Sequence, residues 1–295
     1  MGRWYCAPMS AESRPRVCLL TGATLGIGRA AAQALAATGM ELVLVARNQA
    51  RLEALASELC ARTPGARVGV LAGDLSLMSE VRRVAREFRS THDQLHVLLN
   101  DAGALFARRE LTPEGLERTL ALNHLAYFVL TEELLPLLKA SAPSRIVNVS
   151  SDAHRWRHVD FDDLMSARRY QPFIAYGRSK LMNILFTREL ARRLAGTGVT
   201  ANTMHPGFVR TGFGQNNPGW LGGVIRLGQV FARTPERGAR TLVYLATSPE
   251  VEGVTGEYFH DERPAATSAA ARDMEVARRL WEVSVRLAGP AAAAA

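Results

Sequence analysis

Short, unbroken apolar runs alternate with longer amphipathic stretches from residue 17 to residue 260, and this rhythm restricts the fold more than any single motif. Strands are predicted at Val17–Thr21, Leu42–Ala46, Val68–Ala72, Leu95–Asn100, Ile146–Ser150, Val199–His205 and Gly256–His260. Each run is continuously apolar rather than alternating, as parallel strands covered on both faces require. Helical patterns fill the gaps at Ile27–Thr38, Ala50–Arg62, Ser79–His92, Pro113–Lys139, Phe173–Leu194 and Pro235–Ala246. Gly39 reads as the stop of the first, and Thr112-Pro113 as an N-cap with proline at the first helical position. Strict β-α alternation predicts an α/β, doubly wound parallel sheet (Rossmann fold) of about seven strands with helices on both faces. No linker or repeat divides it. One domain is expected over 16–288, with a flexible segment at 1–15 and a disordered tail at 289–295.

Composition narrows the class. Hydrophobic content of 47 % supports a buried core and argues against disorder. The net charge of +8 invites a nucleic-acid reading. However, the doublets Arg82-Arg83, Arg108-Arg109, Arg168-Arg169, Arg192-Arg193 and Arg278-Arg279 are dispersed, mostly in amphipathic stretches where a solvated face explains them. No nucleic-acid partner is expected. No apolar run approaches the ~18 residues of a membrane span, and the polar start does not read as a signal peptide. Cys6, Cys18 and Cys60 lack metal or redox spacing, which predicts reduced thiols and a cytoplasmic location.

The chain writes arginine almost everywhere and lysine only at positions 139 and 180. Lys180 closes the run Tyr176-Gly177-Arg178-Ser179-Lys180, and on a helix that spacing puts Tyr176 and Lys180 on one face. A phenol of pKa near ~10 needs a neighbouring cation to exchange protons at neutral pH. A compact ammonium suits that task better than a flat guanidinium. An ordinary exposed i,i+4 pair is the alternative.

Strand one runs into Thr21-Gly22-Ala23-Thr24-Leu25-Gly26-Ile27-Gly28 before a helix begins. Glycines there let the backbone approach a diphosphate at a helix N-terminus, where free N–H groups and the dipole favour anions. After strand two, where an acid would read the ribose hydroxyl of NAD(H), stands Arg47, with no acid from Leu42 to Ala50. An arginine there suits the extra phosphate of NADP(H), and Arg29 could assist.

Two long stretches break the rhythm. The stretch 153–172 holds His154, Arg155, Trp156, His158 and Tyr170, of which Trp156 and Tyr170, with Phe173 just beyond, read as the wall of a substrate pocket. The glycine-rich stretch 207–234, with Phe213, Trp220 and Leu221, reads as a substrate lid. His154 and His158 with Asp160 lack a third-ligand pattern, and no metal is expected.

In order and context the motifs resemble the short-chain dehydrogenase/reductase family of single-domain type, over about residues 15–262. The resemblance rests on the Thr-Gly-x3-Gly-x-Gly turn, Asp74-Leu75, Asn100-Asp101-Ala102-Gly103, Asn123, Ser151, Tyr176-x3-Lys180 and His205-Pro206-Gly207-Phe208-Val209-Arg210-Thr211. Ser150-Ser151-x-Ala153-His154, Leu185–Leu190 and the wide Ser151-to-Tyr176 separation are similar to the retinol-dehydrogenase-like branch. That branch implies NADP(H) and a small lipophilic alcohol, aldehyde or ketone. Asp101 departs from the family, which has a second asparagine there.

The resemblance implies roles. Tyr176 exchanges a proton with the substrate oxygen, and Ser151 hydrogen-bonds the same oxygen. Lys180 lowers the Tyr176 pKa and binds the nicotinamide ribose. Asn123 holds a water behind Lys180. Gly22, Thr24, Leu25, Gly26, Ile27 and Gly28 cradle the cofactor, with Asp74, Leu75, Asn100, Ala102 and Gly103 at its adenosine half. Pro206, Gly207, Val209 and Thr211 hold its nicotinamide end, while His154, Trp156 and Phe213 face the substrate. Two alternatives remain at this point: a non-catalytic nucleotide sensor or scaffold, and an epimerase or dehydratase of the same superfamily. A homo-oligomer is left open.

Overall fold

The computed structural model describes residues 3–4, 14–209 and 233–289. Its centre is seven parallel strands: β2 (Val17–Thr21), β3 (Glu41–Ala46), β4 (Arg67–Ala72), β5 (Val97–Asn100), β6 (Ser144–Val149), β7 (Val199–Met204) and β8 (Tyr258–His260). Two short edge strands, β1 (Arg3–Trp4) and β9 (Arg263–Pro264), pair antiparallel to β4 and β8. The order β1-β4-β3-β2-β5-β6-β7-β8-β9 puts the reversal of strand order between β2 and β5. A crevice for a ligand opens at the carboxyl ends of the strands at such a switch point.

The expected alternation holds because the central strands are buried along their middles, apolar in most of them and carrying the buried polar Asn202 and Thr203 in β7. The helices then bury both faces. On one side lie α1 (Gly26–Ala36), α2 (Gln49–Arg62) and α7 (Pro235–Thr247), packed through Ala32, Leu35, Leu52, Leu55 and Leu242. On the other lie α3 (Met78–Thr91), α5 (Ala126–Ala140), α6 (Pro172–Arg193) and α8 (Met274–Ala288), joined through Phe88, Phe128, Phe186 and Trp281. No helix among the described residues is long and apolar enough to cross a membrane.

Three expectations are corrected. The helix expected from Pro113 starts instead at Arg118, with α4 (Arg118–Leu120) running through a π-helical turn, Ala121–Leu125, into α5. Buried Glu117 is its true cap, accepting from Thr119 N and Leu120 N at 2.8 Å each. Thr112 instead closes the preceding turn, its hydroxyl accepting from Leu116 N. The sheet has nine strands rather than about seven, because two-residue edges leave no hydrophobic signature; one of them, Arg3–Trp4, lies in the segment expected to be flexible. Cys60, near the end of α2, is disulfide-bonded rather than a reduced thiol, which removes the support that cysteine usage gave to a cytoplasmic location. Cys18 is a free thiol in the core, pushed up to about 12 by burial.

Candidate active site

The crevice is built from the turn between β2 and α1. Gly22 sits at φ 74°, and a Cβ there would stand 2.9 Å from Ala102 N. Thr21 locks the two strand ends together: its hydroxyl donates to Leu99 O and accepts from Asp101 N and Ala102 N at 3.0 and 3.1 Å. A Cβ on Gly28 would meet Gly22 O at 2.4 Å, so only glycine lets the turn close. Helix α1 begins with no side-chain cap and no acid in its first turn. The Asp101 side chain meets the Gly28 N–H, and the helix dipole and the N–H groups before it remain open to an anion from outside.

Around this turn the expected cofactor residues divide. Arg47 is exposed at the end of β3, beside Asn48, whose side chain caps α2. Arg29, expected to assist, is ion-paired to Glu58 instead. Asp74 holds Ser76 through the backbone N–H and the hydroxyl, at 3.0 and 2.8 Å, while Leu75 is buried in the core. The Asn100 side chain is turned inward, donating to Asn148 at 2.8 Å and Thr131 at 3.3 Å, which leaves only its backbone at the crevice. Gly103 is exposed, and a Cβ on it would lie 3.4 Å from Lys180 Nζ and 3.3 Å from Asn123 Oδ1.

The groups expected to react come from three elements. Ser151 follows β6 and caps a 3₁₀ turn, Asp152–His154, by accepting from Ala153 N. Tyr176 and Lys180 project from one face of α6. The hydroxyls of Ser151 and Tyr176 share a hydrogen bond. Lys180 Nζ donates to Val149 O at 2.9 Å and lies 5.7 Å from the centre of the Tyr176 ring and 5.5 Å from that of Tyr127. Asn123, inside the π-helical turn, is spent on Ala104, accepting from its N–H and donating to its carbonyl at 2.9 Å each, and also donates to Ser179. Such turns frequently mark functional sites because they re-aim one side chain within a helix.

Burial sets the resting state of the phenol. It pushes Tyr176 up to about 12, the Ser151 hydrogen bond works against this, and the Asp101 charge raises it further. Lys180 is itself brought down to about 8 by burial, against the attraction of Asp101. Tyr176 is therefore a neutral phenol across the physiological range, fitted to give a proton.

The substrate side is less as expected. His154 is fully buried, with Nδ1 at 2.8 Å from Ser151 O and Nε2 accepting from Ser268 N. It anchors the loop and has no ring nitrogen left for a substrate. Trp156 is 87 % exposed at φ 57° rather than lining an enclosed wall, and Tyr170 is held by Phe106 O and Thr119. In the segment expected to hold the nicotinamide end, Val209 bridges to Arg233, whose side chain ion-pairs with Asp261 and would lie 3.2 Å from a Cβ on Gly207. Thr211, Phe213 and most of the expected lid lie outside the described residues. Among the described residues no group of three His, Cys, Asp or Glu could hold a metal.

Sequence reasoning named Thr21 in its motif without the role of joining two strand ends, and it missed Tyr127 and Tyr258. Tyr127 and Tyr258 are buried, and each charge-couples to Tyr176. Only their positions in the folded chain mark them.

Glycine turn, open helix end, paired hydroxyls and buried lysine occupy one crevice at the switch point, and the chain belongs to the short-chain dehydrogenase family, whose description matches residues 16–221. It is an oxidoreductase of that family. The chain is 43 % identical over 290 residues to human "Retinol dehydrogenase 14", covering 93 % of this chain and 86 % of that one. It is 41 % identical over 274 residues to human "Retinol dehydrogenase 12", with the same coverage. Among solved structures, a "putative uncharacterized protein from Mycobacterium Paratuberculosis" aligns with a TM-score of 0.74 at 31 % identity, over 92 % of this chain and 93 % of that one. The "Pseudomonas aeruginosa RhlG/NADP active-site complex" aligns with a TM-score of 0.65 at 26 % identity, over 83 % and 93 %.

Proposed function

We propose that the protein transfers a hydride between NADP(H) and a small lipophilic alcohol or carbonyl compound, and that reduction is its favoured direction. The carrying observation is the hydrogen-bonded Ser151–Tyr176 pair, with Lys180 on the same helix face, beside an uncapped glycine turn. The names of the relatives, retinol dehydrogenases, support a lipophilic substrate. A sensor of bound nucleotide would need the glycine turn but not this set.

The residues present fit the cofactor. The N–H groups opening α1 would hold its diphosphate, Gly103 and Lys180 the nicotinamide ribose, and Pro206, Gly207 and Val209 the nicotinamide end. When bound, the nicotinamide supplies or accepts the hydride at C4. Ser151 then orients the substrate oxygen by donating a hydrogen bond to it. Tyr176, neutral at physiological pH, gives its Oη proton to that oxygen as negative charge develops there. Lys180, a cation below about 8, stabilises the phenolate left behind.

The preference for NADP(H) rests on Arg47, since Arg29 is already paired with Glu58. Arg47→Asp exchanges attraction for repulsion at the ribose phosphate. It is expected to cost NADPH about 2–4 kcal/mol, or roughly 30- to 1,000-fold in Kd. Fluorescence titration of both cofactors checks this, followed by NADPH oxidation against retinal, aliphatic aldehydes, quinones and ketosteroids. Equal affinity of the unsubstituted protein for NADH and NADPH would overturn the cofactor assignment, and no turnover with any carbonyl class would overturn the substrate class.

A further inference from the structure

The turn that leaves β7 is gripped by side chains from beyond it. His205 follows the last residue of β7 and is buried, and its Nδ1 accepts the N–H of Gly207 at 3.1 Å. Burial brings this imidazole down to about 4, so Nδ1 is a bare acceptor at neutral pH. His260, the last residue of β8, stacks on the same ring, 4.0 Å between centres and 16° between planes. Arg233 donates its backbone N–H to Phe208 O at 2.8 Å, and a Cβ on Gly207 would stand 3.2 Å from its guanidinium carbon.

Arg233 and His260 meet at one carboxylate. Asp261 accepts from Arg233 Nη1 and, at 3.0 Å, from Nη2, and its Oδ2 lies 3.5 Å from His260 Nε2. Such a two-pronged pairing fixes direction as well as supplying attraction. Contacts therefore run from Gly207 through His205, His260, Asp261 and Arg233 and back to Gly207.

The hairpin that presents Asp261 is under strain. Only Asp261 and Glu262 join β8 to β9, with His260 opposite Arg263, and both stand at positive φ, 47° and 64°. Two-residue hairpins favour asparagine, aspartate and glycine at such positions, and glutamate suits them poorly. Glu262 is tied down by Arg240 at 2.9 Å and by Thr241, whose hydroxyl accepts its N–H, while Asp261 is tied to Arg233. Strain kept at two residues that each hold an arginine points to a use for those pairings.

We propose that Asp261 and Arg233 are positioning residues, an ionic clamp that fixes the turn Pro206–Val209 in the shape that receives the nicotinamide end of the cofactor. The clamp itself stands on the contacts above; its service to the nicotinamide rests on the cofactor reading.

Two measurements test them separately. Asp261→Asn keeps a residue that tolerates positive φ and removes only the charge, and Arg233→Gln removes the other pole. In the protein without cofactor, hydrogen exchange at the Gly207 amide should quicken by about 3- to 30-fold in either variant. The double variant should be little worse than the poorer single one, because the two act through one contact. Glu262→Gln, which loosens the same hairpin without touching Arg233, should leave Gly207 exchange at the native rate. Native exchange in Asp261→Asn overturns the clamp, and so does an equal rise in Glu262→Gln. The second measurement compares NADPH with adenosine 2′,5′-bisphosphate, which has the adenosine half and no nicotinamide. In Asp261→Asn the Kd for NADPH should rise about 3- to 10-fold while that for the bisphosphate holds. A general structural defect would weaken both. Faster exchange with an unchanged NADPH Kd upholds the clamp and overturns its part in seating the nicotinamide. No NADPH binding by the unsubstituted protein overturns the cofactor reading and that part with it, while the exchange result still decides the clamp.

Discussion

The carbonyl oxygen of Ala153 lies 2.5 Å from the point where a Cβ on Gly177 would stand. The residue after Tyr176 is therefore bare so that the turn carrying Ser151 can close on α6. Arg157 covers the same spot, its Nε 2.9 Å away. Gly177→Ala must push this backbone outward and loosen the Ser151–Tyr176 hydrogen bond, although glycine-to-alanine within a helix ordinarily stabilises. Misplacing a reacting group by about 1 Å can cost on the order of 10²-fold in rate. Turnover is expected to fall by about 10- to 100-fold while the Kd for NADPH holds. Steady-state kinetics with an aldehyde, beside a cofactor titration, would show this. An undiminished kcat would mean that the contact does not set the geometry.

Tyr176 and Lys180 form one proton-transfer unit on one helix face. Tyr176→Phe keeps the ring and removes only the hydroxyl, so fold and NADPH binding should survive while turnover falls by ~10²–10⁴. Lys180→Arg keeps charge but not compact geometry, and should lose most activity. Because the residues act together, the double variant should be little worse than the poorer single one. Native-rate reduction by Tyr176→Phe would sink the mechanism.

Most of the seven parallel strands were legible from a continuous apolar centre, β7 from its place in the alternation, and β2 begins and ends as expected, at Val17 and Thr21. Helix α8 escaped because its pattern lies beyond the last expected strand, where no alternation calls for another layer. The start of α4 was misplaced because Thr112-Pro113 carries ordinary capping chemistry, whereas the real cap, Glu117, is a buried carboxylate. Ser151, Tyr176 and Lys180 were legible as a set, and the structure joins them. Their electrostatics were not, since the rise of the phenol comes from burial and from Asp101, both properties of the assembled crevice. His154 illustrates the reverse: a polar residue in a substrate-facing loop proves to be the loop's anchor.

His124 gives the acid response of the fold a definite source. It is 1 % exposed within the π-helical turn, with Nε2 2.9 Å from Ser284 Oγ and Nδ1 3.4 Å from Asn183 Oδ1. Burial brings it down to about 4, against a usual value of 6.5. A histidine lowered in the folded state contributes stability that is complete above its unfolded value, because the unfolded chain takes up the proton first. That stability is lost progressively as pH falls from about 6.5 to about 4. His205, also brought to about 4, acts in the same direction, whereas Asp101, raised to about 7, binds a proton in the folded state and opposes them. The total slope therefore does not isolate one residue, but a difference does. His124→Gln removes a single titrating group and keeps a neutral polar side chain. Its stability should be lower overall, yet its loss between pH 6.5 and 4.5 should be smaller than the native loss by about 2–3 kcal/mol. Urea unfolding at the two pH values measures both losses. Parallel pH dependence in the variant and the native protein would show that His124 is not the residue that makes the fold acid-sensitive.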